Sequence, residues 1–146
     1  MSLDIILCTG LKNMQINYIN GLLQTSMVIY YKGRSLTIEN LVIDTGAAHS
    51  LLSSDVVNEI GIKFENGDKL IRNFGIGGDE YTFQKHVDQI KIGDLFLKNI
   101  PIDFGIFHED INYINGLIGL DILKGCNMII DLQHMIMYAG DSEKNK

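Results

Sequence analysis

From Leu22 to Tyr138 the chain is a succession of short apolar runs, rich in β-branched and aromatic residues, repeatedly broken by charge or glycine. No run is long enough for a buried helix of ordinary length, and the cuts fall where hairpin turns would be needed. Leu22 to Tyr31 reads as a strand, Lys32-Gly33-Arg34 as a turn, and Ser35 to Ile43 as the returning strand. Leu70 to Phe74 and Glu80 to Ile92 read as a second hairpin, with a very glycine-rich tip at Gly75-Ile76-Gly77-Gly78. After the Gly93-Asp94 turn, Leu95 to Phe107 supplies one or two strands. Met128 to Leu132 and His134 to Tyr138 form a last hairpin. Helix is expected in two places only. Ser53 to Gly61 carries a serine N-cap (Ser53 or Ser54) and a glycine stop, and Leu120 to Lys124 is a single turn closed by Gly125. Many short strands with little helix predict an all-β barrel or sandwich.

The rest of the composition narrows the function more than the fold. At 146 residues the chain suits one domain. A formal net charge of −6 with no basic patch argues against nucleic acid or an anionic membrane as partner. No apolar stretch approaches the ~20 residues of a membrane span. Asp4 and the early glycine and lysine spoil the apolar centre a secretory signal would need. Cys8 and Cys126 lie far apart without metal-type spacing and read as two reduced thiols of a cytoplasmic protein. The four histidines, at 49, 86, 108 and 134, show no ligand spacing either, so a metal site has weak support.

Chemistry concentrates at Leu41-Val42-Ile43-Asp44-Thr45-Gly46-Ala47-Ala48. An apolar strand delivers a carboxylate to its end, and a glycine two residues later permits a tight turn. Taken alone, this is also how an ordinary β-turn looks, since aspartate favours turns. Likewise a glycine-rich tip is often just a turn, and Leu-Ile-Gly is often just core. The three features nevertheless occur in an order that resembles the aspartic peptidases. Asp44-Thr45-Gly46-Ala47 resembles their active-site loop, and Ser50-Leu51-Leu52 resembles the short Ser-Leu-Leu stretch just downstream of that loop. Gly116-Leu117-Ile118-Gly119-Leu120-Asp121-Ile122-Leu123 resembles their second signature, about seventy residues downstream. The glycine-tipped hairpin between them stands where the single-lobe, retropepsin-like members carry a flap.

That resemblance implies a closed β-barrel of the single-lobe acid-protease type with one or two short helices, and an aspartic endopeptidase activity without cofactor. It implies that Asp44 activates the attacking water, that Thr45 braces the loops across an interface, and that Gly46 holds the turn and leaves room for the substrate backbone. Ala47 and Ala48 would line the cleft floor, and Gly75, Ile76, Gly77 and Gly78 would close over an extended peptide bound as an added strand. The mechanism needs two carboxylates sharing a proton, yet the chain has no second Asp-Thr-Gly or Asp-Ser-Gly. The missing acid is therefore expected from a second copy of Asp44 in a homodimer. A silent dimerisation or peptide-binding domain on the same fold is the alternative. Residues 1–21 are read as an N-terminal extension or edge strand, 22–140 as the peptidase domain and 141–146 as a flexible tail. Asp121 falls on the short helix where such proteins keep structural or surface residues.

Overall fold

The computed structural model describes residues 4–7, 13–75, 78–107 and 113–140. The strands in chain order are β1 (Asp4–Leu7), β2 (Met14–Gln15), β3 (Asn17–Ile19), β4 (Leu22–Tyr31), β5 (Arg34–Ile43) and β6 (Leu51–Ser53). They continue with β7 (Lys69–Gly75), β8 (Gly78–Ile92), β9 (Leu95–Gly105), β10 (Gly116–Ile118), β11 (Met128–Asp131) and β12 (Ile136–Ala139). Two single-turn helices interrupt them, α1 (Ser54–Val57) and α2 (Leu120–Leu123).

Six strands close on themselves. β9, β6, β10, β5, β4 and β8 follow one another in hydrogen-bonded order, and β8 pairs back onto β9. Closure leaves these strands without a free edge through their paired stretches. The alternation in β4 shows how the sequence chooses its inner face: Met27, Ile29 and Tyr31 are buried, and the residues between them less so. The β4–β5 turn uses Lys32 and Gly33, both at positive φ, as a two-residue hairpin turn demands. At the end of β5 the alternation stops, and Leu41, Val42 and Ile43 are all buried. The reason is β10, which lies parallel to β5 (Gly116↔Leu41, Ile118↔Ile43) and antiparallel to β6. The core is filled by aliphatic residues from all sides of the barrel, with Phe104 the largest fully buried side chain.

Three elements hang on this frame. β7 pairs with the first half of β8 and extends the hairpin outward. The N-terminal segment contributes β1 along β9, β3 along β4, and β2 to a small sheet in the order β11-β12-β2. Met14 and Ile16 from this segment are buried in the main core.

The all-β expectation and the barrel are what the structure shows. Ser53–Gly61 divides into α1, capped by the Ser53 hydroxyl accepting from the Val56 amide, and a 3-10 turn at Asn58–Ile60 that ends on left-handed Gly61. Leu95 to Phe107 resolves into the single strand β9, ending at Gly105. β10 is a strand where the sequence showed only apolar residues leading into a helix. Three residues are too few for a periodicity, and its partners lie far away in the chain. Cys8 and residues 141–146 lie outside the described residues. Among those described, no helix is long and apolar enough to cross a membrane.

Candidate active site

Asp44 stands at the mouth of the barrel, one residue beyond β5. Its amide donates to the Ile118 carbonyl at 2.9 Å, which continues the β5–β10 ladder by one rung. The loop then turns back on itself: the Ala47 amide donates to the Asp44 carbonyl at 3.2 Å. The Gly46 amide donates to Asp44 Oδ1 at 2.9 Å, which fixes the carboxylate. Gly46 is not at positive φ. The approach is close all the same: a Cβ there would crowd that same Oδ1 at 3.3 Å.

The far side of the loop is clamped by residues from the second motif. The Leu120 and Asp121 amides donate to the Ala47 and Ala48 carbonyls at 2.8 and 3.2 Å. Asp121 accepts from both the amide and the hydroxyl of Ser50, at 2.9 and 2.6 Å, and from the Ile122 amide at 2.8 Å. The Ser50 oxygen in turn accepts from the Gly119 amide at 2.9 Å. Gly119 has no room for a side chain, because a Cβ would fall 2.8 Å from the Ala47 and His49 carbonyl oxygens. Asn115 adds a stitch between neighbouring strands, donating to the Asn40 and Glu39 carbonyls while its own carbonyl receives the Ser53 amide. Of the structural and surface readings left open for Asp121, these bonds show the structural one. The size of that role was not legible, because its partner Ser50 lies 71 residues away. Nothing in the sequence marks Asn115.

Of the expected site residues, Asp44 to Ala48 form one loop in the structure. Asp44 and Ala47 are partly buried, and Thr45, Gly46 and Ala48 are exposed. The Thr45 side chain has no hydrogen bond among the described residues. Gly75 and Gly78 face each other as the last rung of the β7–β8 hairpin. Ile76 and Gly77 lie outside the described residues. From Gly78 to Thr82, β8 pairs with β7 alone; from Phe83 onward it joins β9 in the barrel wall. Phe83 anchors that junction, its ring 5.5 Å from Phe104 and 5.9 Å from Phe64. Beside the loop lies a groove of about 460 Å³ bordered by Ala48, His49, Lys69, His86, Asp103 and Asp121. The two histidines, 37 positions apart in the numbering, showed no relationship in the sequence. Among the described residues no cluster of three or more histidine, cysteine or acidic side chains could hold a metal ion.

Comparison with known proteins places these features in context. The family described as "gag-polyprotein putative aspartyl protease" matches residues 35–125, more than half of the chain. A retropepsin-like aspartic protease from Rickettsia conorii is similar in structure, with a TM-score of 0.63, 18% identity, and coverage of 94% of this chain and 95% of that one. EIAV protease, solved in complex with the inhibitor HBY-793, is similar at a TM-score of 0.52 and 21% identity, over 74% of this chain and 90% of its own. A search of curated proteins found no match.

Proposed function

The chain belongs to the gag-polyprotein aspartyl protease family, and on that premise we propose that it is an aspartic endopeptidase acting as a homodimer. The single observation that carries the proposal is the fixed Asp44 carboxylate. It is held by the Gly46 amide, on a loop clamped through Ser50 and Asp121, and it remains accessible at the barrel mouth. A loop stitched this tightly around one unpaired acid fits a site that must aim it.

One chain holds half of the chemistry. A two-fold axis beside Asp44 would bring in the second carboxylate, with one proton shared between them. One carboxylate takes a proton from the bound water as the water attacks the peptide carbonyl. The other donates its proton to the carbonyl oxygen. Collapse of the tetrahedral intermediate then expels the amine as it gains a proton. Thr45, exposed and without a hydrogen bond among the described residues, is assigned to bond across such an axis. Ala47, Ala48 and the hairpin tip Gly75–Gly78 are assigned to substrate, an extended peptide. A cytoplasmic setting belongs to the same reading and is in keeping with Cys126 being a free, buried thiol.

The test is hydrolysis of an unstructured protein by wild type and by Asp44→Asn. The amide is nearly isosteric but cannot take the water's proton, so the variant should fold and be inactive. A pepstatin-like transition-state mimic should inhibit the wild type. Equal activity in the two proteins would end the proposal. A wild type that binds the mimic and cleaves nothing would point to a peptide-binding domain on the same fold.

A further inference from the structure

The dimeric reading requires a surface around Asp44 that a second copy covers, and one element near it is left exposed. β3 is a strand that buries nothing: Asn17, Tyr18 and Ile19 are all exposed, Tyr18 at 68% and Ile19 at 41%. Among the described residues it pairs with β4 alone. Its turn, Asn20-Gly21, has positive φ at both positions (52° and 79°), the geometry of a tight and well-defined hairpin. An edge strand with two large apolar side chains on a rigid turn is the kind of surface that soluble proteins cover or blunt.

Its position follows from the register. Ile19 stands opposite Leu22, and Gln24 opposite Val42. The β4–β5 pairing starts at that rung, two residues before Asp44 on one chain segment and two after Leu22 on the other, so the β3–β4 hairpin turn and the Asp44 loop leave the sheet at the same end. Two strand spacings of ~4.8 Å separate β3 from β5, which sets β3 on the order of 10 Å from the aspartate. A dimer that joins two Asp44 residues through one water has its axis within a few ångströms of them. A stable interface covers about 800 Å² on each subunit, a patch of roughly 16 Å radius. Centred on Asp44, a patch of that size takes in β3.

We infer that the β3–β4 hairpin, with Tyr18 as its anchor, is the surface that receives the second copy of this chain. The inference rests on the peptidase reading only for the placement of the axis. Tyr18 offers a large ring of limited side-chain freedom, the profile of a residue that carries interface energy. Asn17 and Asn20 beside it supply donors and acceptors that fit a polar rim. The Asn-Gly turn holds the anchor in place before association, so little order is lost on binding.

Sedimentation of the full chain, run beside a peptide-hydrolysis assay, tests this. The proteins are wild type, Tyr18→Asp, the uncharged Ile19→Ser, and Leu132→Asp as control. Leu132 is 61% exposed but lies beyond β11 in the smaller sheet. Tyr18→Asp should raise the dimer dissociation constant at least about tenfold, Ile19→Ser less so, and Leu132→Asp not at all, with circular dichroism unchanged in each. Hydrolysis by Tyr18→Asp should be lost at low concentration and return at high concentration. A wild type that stays monomeric at every concentration overturns the inference. So does a Tyr18→Asp protein that dimerises like wild type, or a dimer that only Leu132→Asp dissociates. If Tyr18→Asp dissociates a wild-type dimer that hydrolyses nothing, the surface is right and the peptidase reading is wrong.

Discussion

Gly46 shows how a single backbone atom can decide a site. Its amide holds Asp44 Oδ1 at 2.9 Å, and its missing side chain leaves that oxygen its place. Gly46→Ala should push the carboxylate aside without unfolding an exposed loop. A Cβ at 3.3 Å asks the carboxylate to give by only a few tenths of an ångström, so we expect turnover to fall, by less than the roughly hundredfold that a misplacement near 1 Å costs, with the melting temperature little changed. Ser50 behaves differently because it is buried. Ser50→Ala removes the acceptor of the Gly119 amide and a donor to Asp121, leaving partners unsatisfied. Denaturant unfolding should show a loss of about 1–3 kcal/mol, together with reduced activity as the loop loosens. At Cys126, burial, helped by the nearby negative charge of Asp121, pushes the thiol up to about 12. Since the thiolate is the reactive form, Cys126 in a Cys8→Ser background should resist iodoacetamide at pH 8. It should react fully once unfolded in guanidinium. Rapid labelling of the folded chain would show that this corner opens.

The β7–β8 hairpin is the element whose attachment the structure explains best. Lys85, on β8, is 7% exposed and bonds Glu65 at 2.9 Å and Asp68 at 2.8 Å, which ties the loop before β7 to the barrel. Burial pulls the Lys85 pKa down, but the hydrogen bonds to Asp68 and Glu65 outweigh it and the net value is raised. The same lysine's hydrogen bond lowers both carboxyls. Depressed acids contribute stability above their unfolded values and lose it as pH falls through the folded ones. A raised lysine contributes below its unfolded value and loses it as pH rises through the folded one. The wild type's advantage over Lys85→Met should thus be flat from about pH 5 to 10 and shrink at either end. Calorimetry across that range checks it, and an advantage that persists at pH 2 would mean packing rather than charge. Thr82, at the base of the same arm, has a buried hydroxyl with no partner among the described residues and packs against Gly105. Thr82→Val should stabilise the protein by about 1 kcal/mol. The arm itself was legible in the sequence, as were β4, β5 and β8, because each is a long β-rich run set off by a glycine-containing turn, and the last hairpin because it is two short apolar runs. The Lys85 tie was not, because its partners lie in the loop at 65–68, which the sequence does not mark. β3 was illegible for another reason: a strand that buries nothing leaves no apolar pattern.

At the scale of the whole molecule, the site depends on parts of the chain distant from one another. The Asp44 loop comes from the first third, its clamp from the last, and its second acid, on the proposed reading, from another molecule. Hydrolysis per chain should therefore fall with dilution, and below the dissociation constant the rate should rise with the square of chain concentration. A rate strictly proportional to concentration throughout would indicate that one chain suffices. The insertion of β10 between β5 and β6 also bears on timing. During synthesis Ser50 waits for Asp121, 71 residues further on, which at ~5–20 residues per second takes roughly 4–15 s. Until then Asp44 has emerged without its clamp. A half-made chain carries the acid without its frame, so on the proposed reading it cannot cut the nascent chains of neighbouring ribosomes on the same messenger.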